Sequence, residues 1–315
     1  MVPVSFWVGF HVLLFAFLAL DLGVFHRNPH EVSTREAVIW SVVWIVVALV
    51  FNAGVYHYMG PDRGLEFFTG YVIERALSID NIFVFVVVFS FFAVPAMYQH
   101  RVLFWGILGA LAFRGILIIA GAALLARFHW LSLVFGAFIL ITGIRFFFHS
   151  PAKMDVAKNP VVRWARRLLP FTDEYAGAAF FVRRESRLVA TPLLLVLILV
   201  ESVDVAFALD SVPAIFAVTR VPFIVYSSNV FAILGLRASY FLLAAAVPRL
   251  RYLGPGLAAV LVFIGLKMLL EPWVPVGTGL SLLVVMLLLV VAVVASLLVP
   301  APQQSQAHVQ RKDPV

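Results

Sequence analysis

The stretch TPLLLVLILVESVDVAFALDSVP, residues 191–213, decides which class of protein this chain belongs to. An apolar run typical of a membrane helix leads directly into three carboxylates, at Glu201, Asp204 and Asp210. An ionised acid at the centre of a bilayer costs about 2.5–3.5 kcal/mol on insertion scales, so three unpaired acids would offset much of one helix's insertion energy. Acids in such a place therefore indicate a functional site or buried counter-ions.

The composition places this stretch in a membrane protein with several spans. Hydrophobic residues make up 63% of the 315 residues and charged residues only 12%, about half of the ~25% found in soluble proteins. The chain has no cysteine, which excludes disulfides, iron–sulfur clusters and thiolate metal sites. No metalloprotease, nucleotide-binding or hydrolase motif is present, so we expect neither an enzyme nor a bound cofactor. The net charge of +7 is interpreted as a signal of membrane orientation and not of nucleic-acid binding.

Nine apolar segments predict an all-α polytopic protein with about nine transmembrane helices in the lipid bilayer. They cover residues 4–25, 37–55, 66–93, 102–125, 130–148, 190–217, 222–247, 253–270 and 279–299. The predicted organisation is a transporter domain at 1–299, with repeat one at 66–148, a basic cytoplasmic loop at 149–189 and repeat two at 190–270, followed by a disordered cytoplasmic tail at 300–315. The pattern does not indicate an oligomeric state.

Basic residues are distributed unevenly between alternate loops. Fifteen Lys and Arg residues lie in the tail and in the loops after spans one, three, five and seven, whereas the opposite loops hold three. By the positive-inside rule the richer set faces the cytoplasm. We therefore expect a multi-pass protein of the cytoplasmic (inner) membrane with its N-terminus outside and its C-terminus inside.

Within the central basic loop, VVRWARRLLP at 161–170 mixes three arginines with apolar residues. This pattern is typical of an interfacial helix lying on anionic lipid. A solvated loop that only sets the membrane orientation is an equally good interpretation.

Spans three to five and six to eight share a layout that indicates an internal repeat. Glu74 and Asp80 are six residues apart in the first block, and Asp204 and Asp210 have the same separation in the second. Because each block has three spans, the second copy would be inverted in the bilayer, and inverted repeats of this kind form a substrate site at the midplane.

A second register of the repeat involves two intramembrane arginines. Arg114 follows Asp80 by 34 residues, and Arg237 follows Asp204 by 33. The two registers exclude each other, but both pair span three with span six. We expect Arg114 and Arg237 to be counter-ions that make the acids tolerable when no ligand is bound.

The acids and their polar neighbours are hard oxygen ligands, which suit Mn²⁺, Mg²⁺ or Ca²⁺. The cluster carries more negative charge than one divalent metal ion neutralises, which favours exchange of metal for protons. The alternative that the acids only pair with arginines to clamp helices together remains open. The expected metal ligands are Glu74, Asp80, Asn81, Glu201, Asp204 and Asp210.

Helix geometry limits how these acids can be combined. A separation of six residues corresponds to about 240° around a helix axis, so Asp204 and Asp210 cannot point to one ion from a regular helix. We therefore expect either a break near Pro213 or two separate polar sites.

Four segments resemble the TerC/Alx family of bacterial integral membrane proteins, and the resemblance extends from span one to about residue 299. The resemblance implies a 3+3 inverted-repeat transporter of the LysE-type superfamily that exports Mn²⁺, with the five intramembrane acids in its site. The segments are ERALSIDNIFVF (74–85), VPAMYQHRVLFWGILGALAFRG (94–115), ATPLLLVLILVESVDVAFALDSVPAIFAV (190–218) and FIVYSSNVFAILGLR (223–237).

Two other functions remain open on the sequence. One is a metal-handling membrane partner that supplies exported metalloproteins, for which the site would look the same. The other is tellurite or oxyanion resistance, which would need the intramembrane arginines as ligands and is disfavoured because acids outnumber them.

Overall fold

The structure of the protein is a computed structural model. It describes residues 2–25, 33–128, 130–148, 160–184, 187–246 and 252–298. The predictions for the tail at 300–315 and for residues 149–159 of the central loop lie outside the described residues. Asp80 belongs to a described helix, but its side chain is outside the description, as are those of Phe83 and of residues 21–25 and 243–246.

Eleven α-helices and one two-stranded antiparallel sheet make up the described part of the chain. In chain order they are α1 (Val4–Phe25), α2 (Thr34–Met59), α3 (Pro61–Phe91), α4 (Ala96–Arg127), α5 (Leu131–Phe148), α6 (Pro160–Leu168), β1 (Phe181–Arg184), β2 (Arg187–Ala190), α7 (Pro192–Phe216), α8 (Pro222–Leu234), α9 (Leu236–Ala246), α10 (Leu253–Leu270) and α11 (Thr278–Leu298).

These helices confirm the prediction of an all-α polytopic membrane protein. Each predicted apolar segment coincides with one helix, except that 222–247 forms the pair α8 and α9. By length and composition, six helices of the described part are able to cross a membrane: α2, α4, α5, α7, α10 and α11. The count of nine spans stays a prediction, because the apolar section of α1 is shorter and α3 carries several charges.

Prolines and a glycine fix where the acid-bearing helices begin. Pro61 and Pro192 occupy the first helical position of α3 and α7, where a missing N–H costs no helical hydrogen bond. Gly60 joins α2 directly to α3 with a φ of 98°, a backbone conformation that side chains disfavour.

The predicted break near Pro213 does not occur. Helix α7 continues through Pro213 to Phe216, so the hydrogen bond that proline cannot donate is lost only in the last turn. The break lies instead in the next span, at Gly235 between α8 and α9.

Arg75 of α3 bridges this break with its guanidinium group. Nη1 donates to the backbone oxygen of Ala232 at 3.0 Å, near the end of α8, and Nη2 donates to Ser239 Oγ at 2.5 Å, in α9. Gly235 lies against the same guanidinium, since an added Cβ would be 2.6 Å from Arg75 Nη1. The point where this span divides is therefore in contact with a helix of the other predicted repeat.

The helices of the two predicted repeats pack reciprocally. Helix α3 contacts α7 and α8, α4 contacts α7 and α8, and α5 contacts α10. These pairings are unchanged when α3, α4 and α5 are exchanged with α7, α8 and α10. Such packing supports the repeat, which remains a prediction.

The central segment is more ordered than the predicted basic loop. It contains helix α6, which packs against α7, and a hairpin in which Phe181 pairs with Ala190 and Arg184 with Arg187. Ala190 N donates to the backbone oxygen of Pro170 at 2.9 Å, which ties the hairpin back to the end of α6.

Glycines allow close contact between α5 and α10. A Cβ added to Gly265 would lie 2.6 Å from Leu140 N and 2.8 Å from Leu140 Cα, and one added to Gly143 would lie 2.8 Å from Val262 N. Small residues at membrane helix interfaces let backbones approach in this way, so these glycines position the third helices of the two predicted repeats.

We expect Gly265→Ala to lower the thermal stability of the protein in detergent, because the added methyl group meets backbone atoms of α5. Overpacking of this kind costs about 1–3 kcal/mol. Gly54→Ala in α2 is the matched control, since no atom lies within 4 Å of its added Cβ and alanine has the better helix propensity. Equal melting temperatures for the two variants would contradict this packing.

Candidate ion-binding site

Arg114 of α4 lies at the centre of the acid cluster and is only 1% exposed. Its Nε and Nη2 donate to Oδ2 and Oδ1 of Asp204 at 3.2 and 2.9 Å. Nη1 donates to Glu74 Oε1, and it also donates to Ser211 Oγ at 3.2 Å. One guanidinium therefore links α3, α4 and α7 through charge-assisted hydrogen bonds, two of them to the same carboxylate.

Two polar side chains of α3 extend this network. Asn81 Nδ2 donates to Asp204 Oδ1 at 3.1 Å, and Ser78 Oγ donates to Glu74 Oε1 at 3.3 Å. Both residues are buried. Asp204 of the second predicted repeat is thus bound by one residue from each of two helices of the first.

Two buried oxygens of this cluster have no hydrogen-bond partner in the described part of the chain: Glu74 Oε2 and Asn81 Oδ1. A buried acceptor without a donor costs about 1–3 kcal/mol, and more for a charged group. Unpaired oxygens at such a cost are therefore candidates to bind a cation or water.

Glu74, Asn81 and Arg114 line a cavity of about 20 Å³ together with Asp210 and Ser211. A volume of this size holds about one water molecule or an ion of similar size. The remaining lining is apolar: Leu77, Phe146, Phe207 and Leu261. Thr142 of α5 lies close enough to Asp210 for its hydroxyl to interact with that carboxylate, so the third helix of the first predicted repeat reaches the same site.

A second, smaller cavity of about 10 Å³ lies on the other side of Asp204. Its polar lining consists of Asp204 and Arg237, and the rest is apolar. The structure therefore follows the second of the two expected arrangements: α7 is regular, and Asp204 and Asp210 line different cavities.

Glu201 lies one helical turn before Asp204 and packs against α4. Its carboxylate sits directly on Gly109, where any added side chain would overlap it. Glu201 Oε2 is buried and has no hydrogen-bond partner in the described part. This acid is therefore close to the cluster in sequence and depth but is not bonded to Arg114.

The structure thus brings together most, but not all, of the residues that the sequence singled out. Among the described side chains, no three Asp, Glu, His or Cys residues lie close enough to hold a metal ion. Arg114 lies between Glu74 and Asp204 and pairs with both, and the Asp80 side chain is outside the description. The residues in or beside the two cavities are Glu74, Asn81, Arg114, Glu201, Asp204, Asp210 and Arg237.

Two residues of the site were missed in the sequence. Thr142 is a hydroxyl residue within span five, and Gly109 leaves the room that Glu201 needs. The polar character of Thr142 inside an apolar segment was a usable signal. The role of Gly109 depends on which helix faces it, which spacing alone does not indicate.

The turn between α3 and α4 is held by side chains from other parts of the chain. Tyr175, which follows α6, donates its hydroxyl to the backbone oxygen of Phe92 at 2.7 Å. Gln99 Nε2 donates to the backbone oxygen of Val94 at 3.0 Å, and Tyr240 OH donates to Gln99 Oε1 at 3.1 Å. Burial raises the pKa of Tyr175 to about 12, so its hydroxyl remains a donor at neutral pH.

The corresponding turn of the second predicted repeat, between α7 and α8, is held in a similar way. Thr219 Oγ1 donates to Glu66 Oε2 of α3 at 2.6 Å, and Lys267 Nζ of α10 donates to the backbone oxygen of Ala217 at 3.1 Å. If the repeats are inverted, the two turns lie on opposite sides of the membrane and close opposite ends of the site.

Comparison with known proteins places these residues within one family. The pattern of the family described as "Integral membrane protein TerC family" matches residues 59–304, which include every residue of the site. No solved structure matches the chain.

Several curated proteins are similar over nearly the whole chain. The chain is 54% identical over 292 residues to "Uncharacterized membrane protein STKORF319" of Myxococcus xanthus, covering 93% of this chain and 92% of that protein. It is 46% identical over 288 residues to "Putative membrane-bound redox modulator Alx" of Escherichia coli (strain K12), covering 89% and 90%. It is 40% identical over 292 residues to an "Uncharacterized membrane protein" of Rickettsia bellii, covering 93% and 97%. The resemblance found in the sequence is confirmed at the level of the family, and the chain belongs to the TerC family of integral membrane proteins.

Proposed function

We propose that this protein exports a divalent metal cation, Mn²⁺, across the cytoplasmic membrane by alternating access with proton exchange. The observation that carries the proposal is the ion pair of Arg114 with Glu74 and Asp204, next to a cavity of about 20 Å³ with unpaired oxygens. An intramembrane cluster of ionisable residues is by default a substrate or ion pathway.

The donor set of the cluster suits a hard cation. It consists of carboxylate, amide and hydroxyl oxygens, which Mn²⁺, Mg²⁺ and Ca²⁺ prefer, and the chain contains no thiolate. Glu74 Oε2 and Asn81 Oδ1 are available because they accept no hydrogen bond in the described part of the chain. Asp210 supplies a further carboxylate at the same cavity.

In this proposal Arg114 holds the place of the transported cation when the site is empty. Ionised Glu74 and Asp204 carry two negative charges, of which the guanidinium neutralises one. A divalent cation that displaces Arg114 would neutralise both, which favours a divalent over a monovalent substrate. Protons that bind the acids as the metal leaves would complete the exchange and supply the energy for export.

Alternating access would use the α3–α4 turn and the α7–α8 turn, each of which is held by side-chain hydrogen bonds. The contacts of Tyr175 and Gln99 hold the α3–α4 turn, and those of Glu66 and Lys267 hold the α7–α8 turn. By the positive-inside rule the first turn faces the cytoplasm. Opening one set of contacts while the other remains closed would expose the site to one side at a time.

Three other functions are possible alternatives: one fits these residues as well as export does, and two fit them less well. A metal-handling partner of exported metalloproteins would need the same site, and only ion flux separates it from an exporter. Oxyanion resistance is disfavoured because Arg114 directs three of its nitrogens to acids and a hydroxyl. Several relatives are named as membrane-bound redox modulators, but a chain without cysteine offers no thiol for such chemistry. We infer that the protein is not an enzyme.

Flux through the purified protein in proteoliposomes tests the proposal. We expect Mn²⁺ to cross the membrane with a counterflow of protons, measured as internal metal and internal pH. Parallel measurements with Mg²⁺, Ca²⁺ and Zn²⁺ give the selectivity. Binding of Mn²⁺ without flux would instead support a metal-handling partner.

We expect Asp210→Asn to reduce Mn²⁺ flux about 10–100-fold, the range seen when residues that support a metal site are changed. This variant removes a cavity carboxylate without leaving the buried Arg114 unpaired, so the melting temperature should stay close to that of the unmodified protein. Asp62→Asn, an exposed aspartate in the first turn of α3, is the matched control and should transport normally. Normal flux through Asp210→Asn would remove Asp210 from the site.

We expect Arg114→Gln to lower stability by about 3–5 kcal/mol, because it leaves buried carboxylates without their cation. Mn²⁺ should then raise the melting temperature of this variant more than that of the unmodified protein, since the metal no longer competes with a guanidinium. Saturation at about 100 times the dissociation constant corresponds to about 2.7 kcal/mol of stabilisation.

Arg75→Gln is the control for this measurement. Arg75 is also a largely buried arginine, but its recorded hydrogen bonds go to Ala232 and Ser239 and not to an acid. This variant should lose stability without gaining a response to Mn²⁺. Equal metal responses in both variants would show that Arg114 does not occupy the place of the cation.

A further inference from the structure

Helix α6 packs against α7 along one face. Val162 and Ala165 are buried, and they belong to the same apolar cluster as Val196 and Leu199 of α7. Those two positions of α7 lie within the first two turns after Pro192. The short helix therefore lies beside the first turns of α7, a helix long and apolar enough to cross a membrane.

A second apolar edge of α6 is not covered by protein. Trp164 and Leu168 are spaced by four residues, so they lie on one face, and they are 63% and 58% exposed. Arg163, Arg166 and Arg167 are all exposed and occupy a neighbouring face, centred roughly 125° away at 100° per residue. The helix thus has an uncovered apolar edge and a separate basic edge.

We propose that α6 is a binding surface for anionic phospholipid of the leaflet on its side of the membrane, with Trp164 and Leu168 among the acyl chains and the three arginines at the headgroup phosphates. This inference concerns a surface outside the ion site and does not depend on the proposed transport.

Charge and position together favour lipid over a solvated loop. Tryptophan is typical of the membrane–water interface, where an amphipathic ring meets both phases. Arginine pairs with phosphate through two parallel hydrogen bonds. Arg163, Trp164 and Arg167 line one open depression on the surface of the helix, so one headgroup would contact both kinds of side chain. A loop that only sets membrane orientation needs basic residues but has no need for an exposed Trp and Leu on one face.

The effect of the arginines can be estimated. A basic side chain near an anionic membrane surface contributes roughly a factor of five in binding. Three arginines therefore allow up to roughly a hundredfold local preference for anionic lipid, and we expect at least about tenfold.

A probe on α6 in the full-length protein measures this preference. Because the chain has no cysteine, Leu168→Cys gives a single site for a bimane label and leaves Trp164 in place. The labelled protein is reconstituted in vesicles of phosphatidylcholine and phosphatidylglycerol, with one of the two lipids brominated in turn. The relative quenching by the two brominated lipids gives the local preference, and iodide measures exposure to water.

We expect strong quenching by lipid, weak quenching by iodide and a preference of about tenfold or more for phosphatidylglycerol. The triple variant Arg163→Gln/Arg166→Gln/Arg167→Gln should reduce the preference for phosphatidylglycerol to less than about twofold. The hairpin variant Arg183→Gln/Arg184→Gln/Arg187→Gln removes the same charge from exposed positions and should retain it.

Three results would overturn the inference: a probe quenched mainly by iodide, equal quenching by both lipids, or a preference lost in the hairpin variant and kept in the α6 variant. If the glutamine variant fails to fold, the triple Arg→Lys variant keeps the charge and should keep the preference. In the unmodified background, the preference should also fall as salt is raised, because screening weakens exposed charges. A preference that does not respond to salt would exclude the arginines as its cause.

Discussion

One buried guanidinium sets the conditions for the rest of the structure. Arg114 lies between Glu74 and Asp204 in the protein interior, and each of the three groups would be costly there without the others. The cost is reduced only if α3, α4 and α7 keep their side chains within hydrogen-bond distance. Gly109 of α4 serves the same requirement, because it leaves room for the Glu201 side chain of α7 next to the cluster.

Charge balance connects this interaction to function. Glu74 and Asp204 outnumber Arg114, and Asp210 lines the same cavity without a bond to it in the described structure. A purely structural clamp would be expected to match its charges and satisfy its acceptors, yet Glu74 Oε2 and Asn81 Oδ1 are left unpaired. The excess of acceptors over donors is what a cation or protons would correct, and it is located where the two predicted repeats meet.

Much of this arrangement could be predicted from the sequence, because membrane spans and intramembrane charges are strong local signals. The nine apolar segments coincide with the observed helices, and the 240° separation of Asp204 and Asp210 correctly predicted that they would not share one point. The break at Gly235 was missed because a single glycine inside an apolar span is a weak signal and its contact with Arg75 joins residues that are distant in sequence. Pro213 was given too much weight, since a proline in the last turn of a helix disturbs little. The hairpin at 181–190 was missed because its strands are short and rich in arginine.

The partner of Arg114 could not be read from spacing either. Asp80 and Arg114 are 34 residues apart and Asp204 and Arg237 are 33 apart, a similar spacing that suggests pairing within each predicted repeat. In the structure, however, Arg114 donates hydrogen bonds to Asp204 of the other predicted repeat. This choice matters for mechanism. An ion pair within one repeat would move as a rigid unit, whereas a pair between repeats must change whenever they shift against each other. In the proposed exporter, the bonds that a cation would have to replace include those between Arg114 and Asp204, which link the two predicted repeats. Cation binding and movement of the repeats would then be coupled through Arg114.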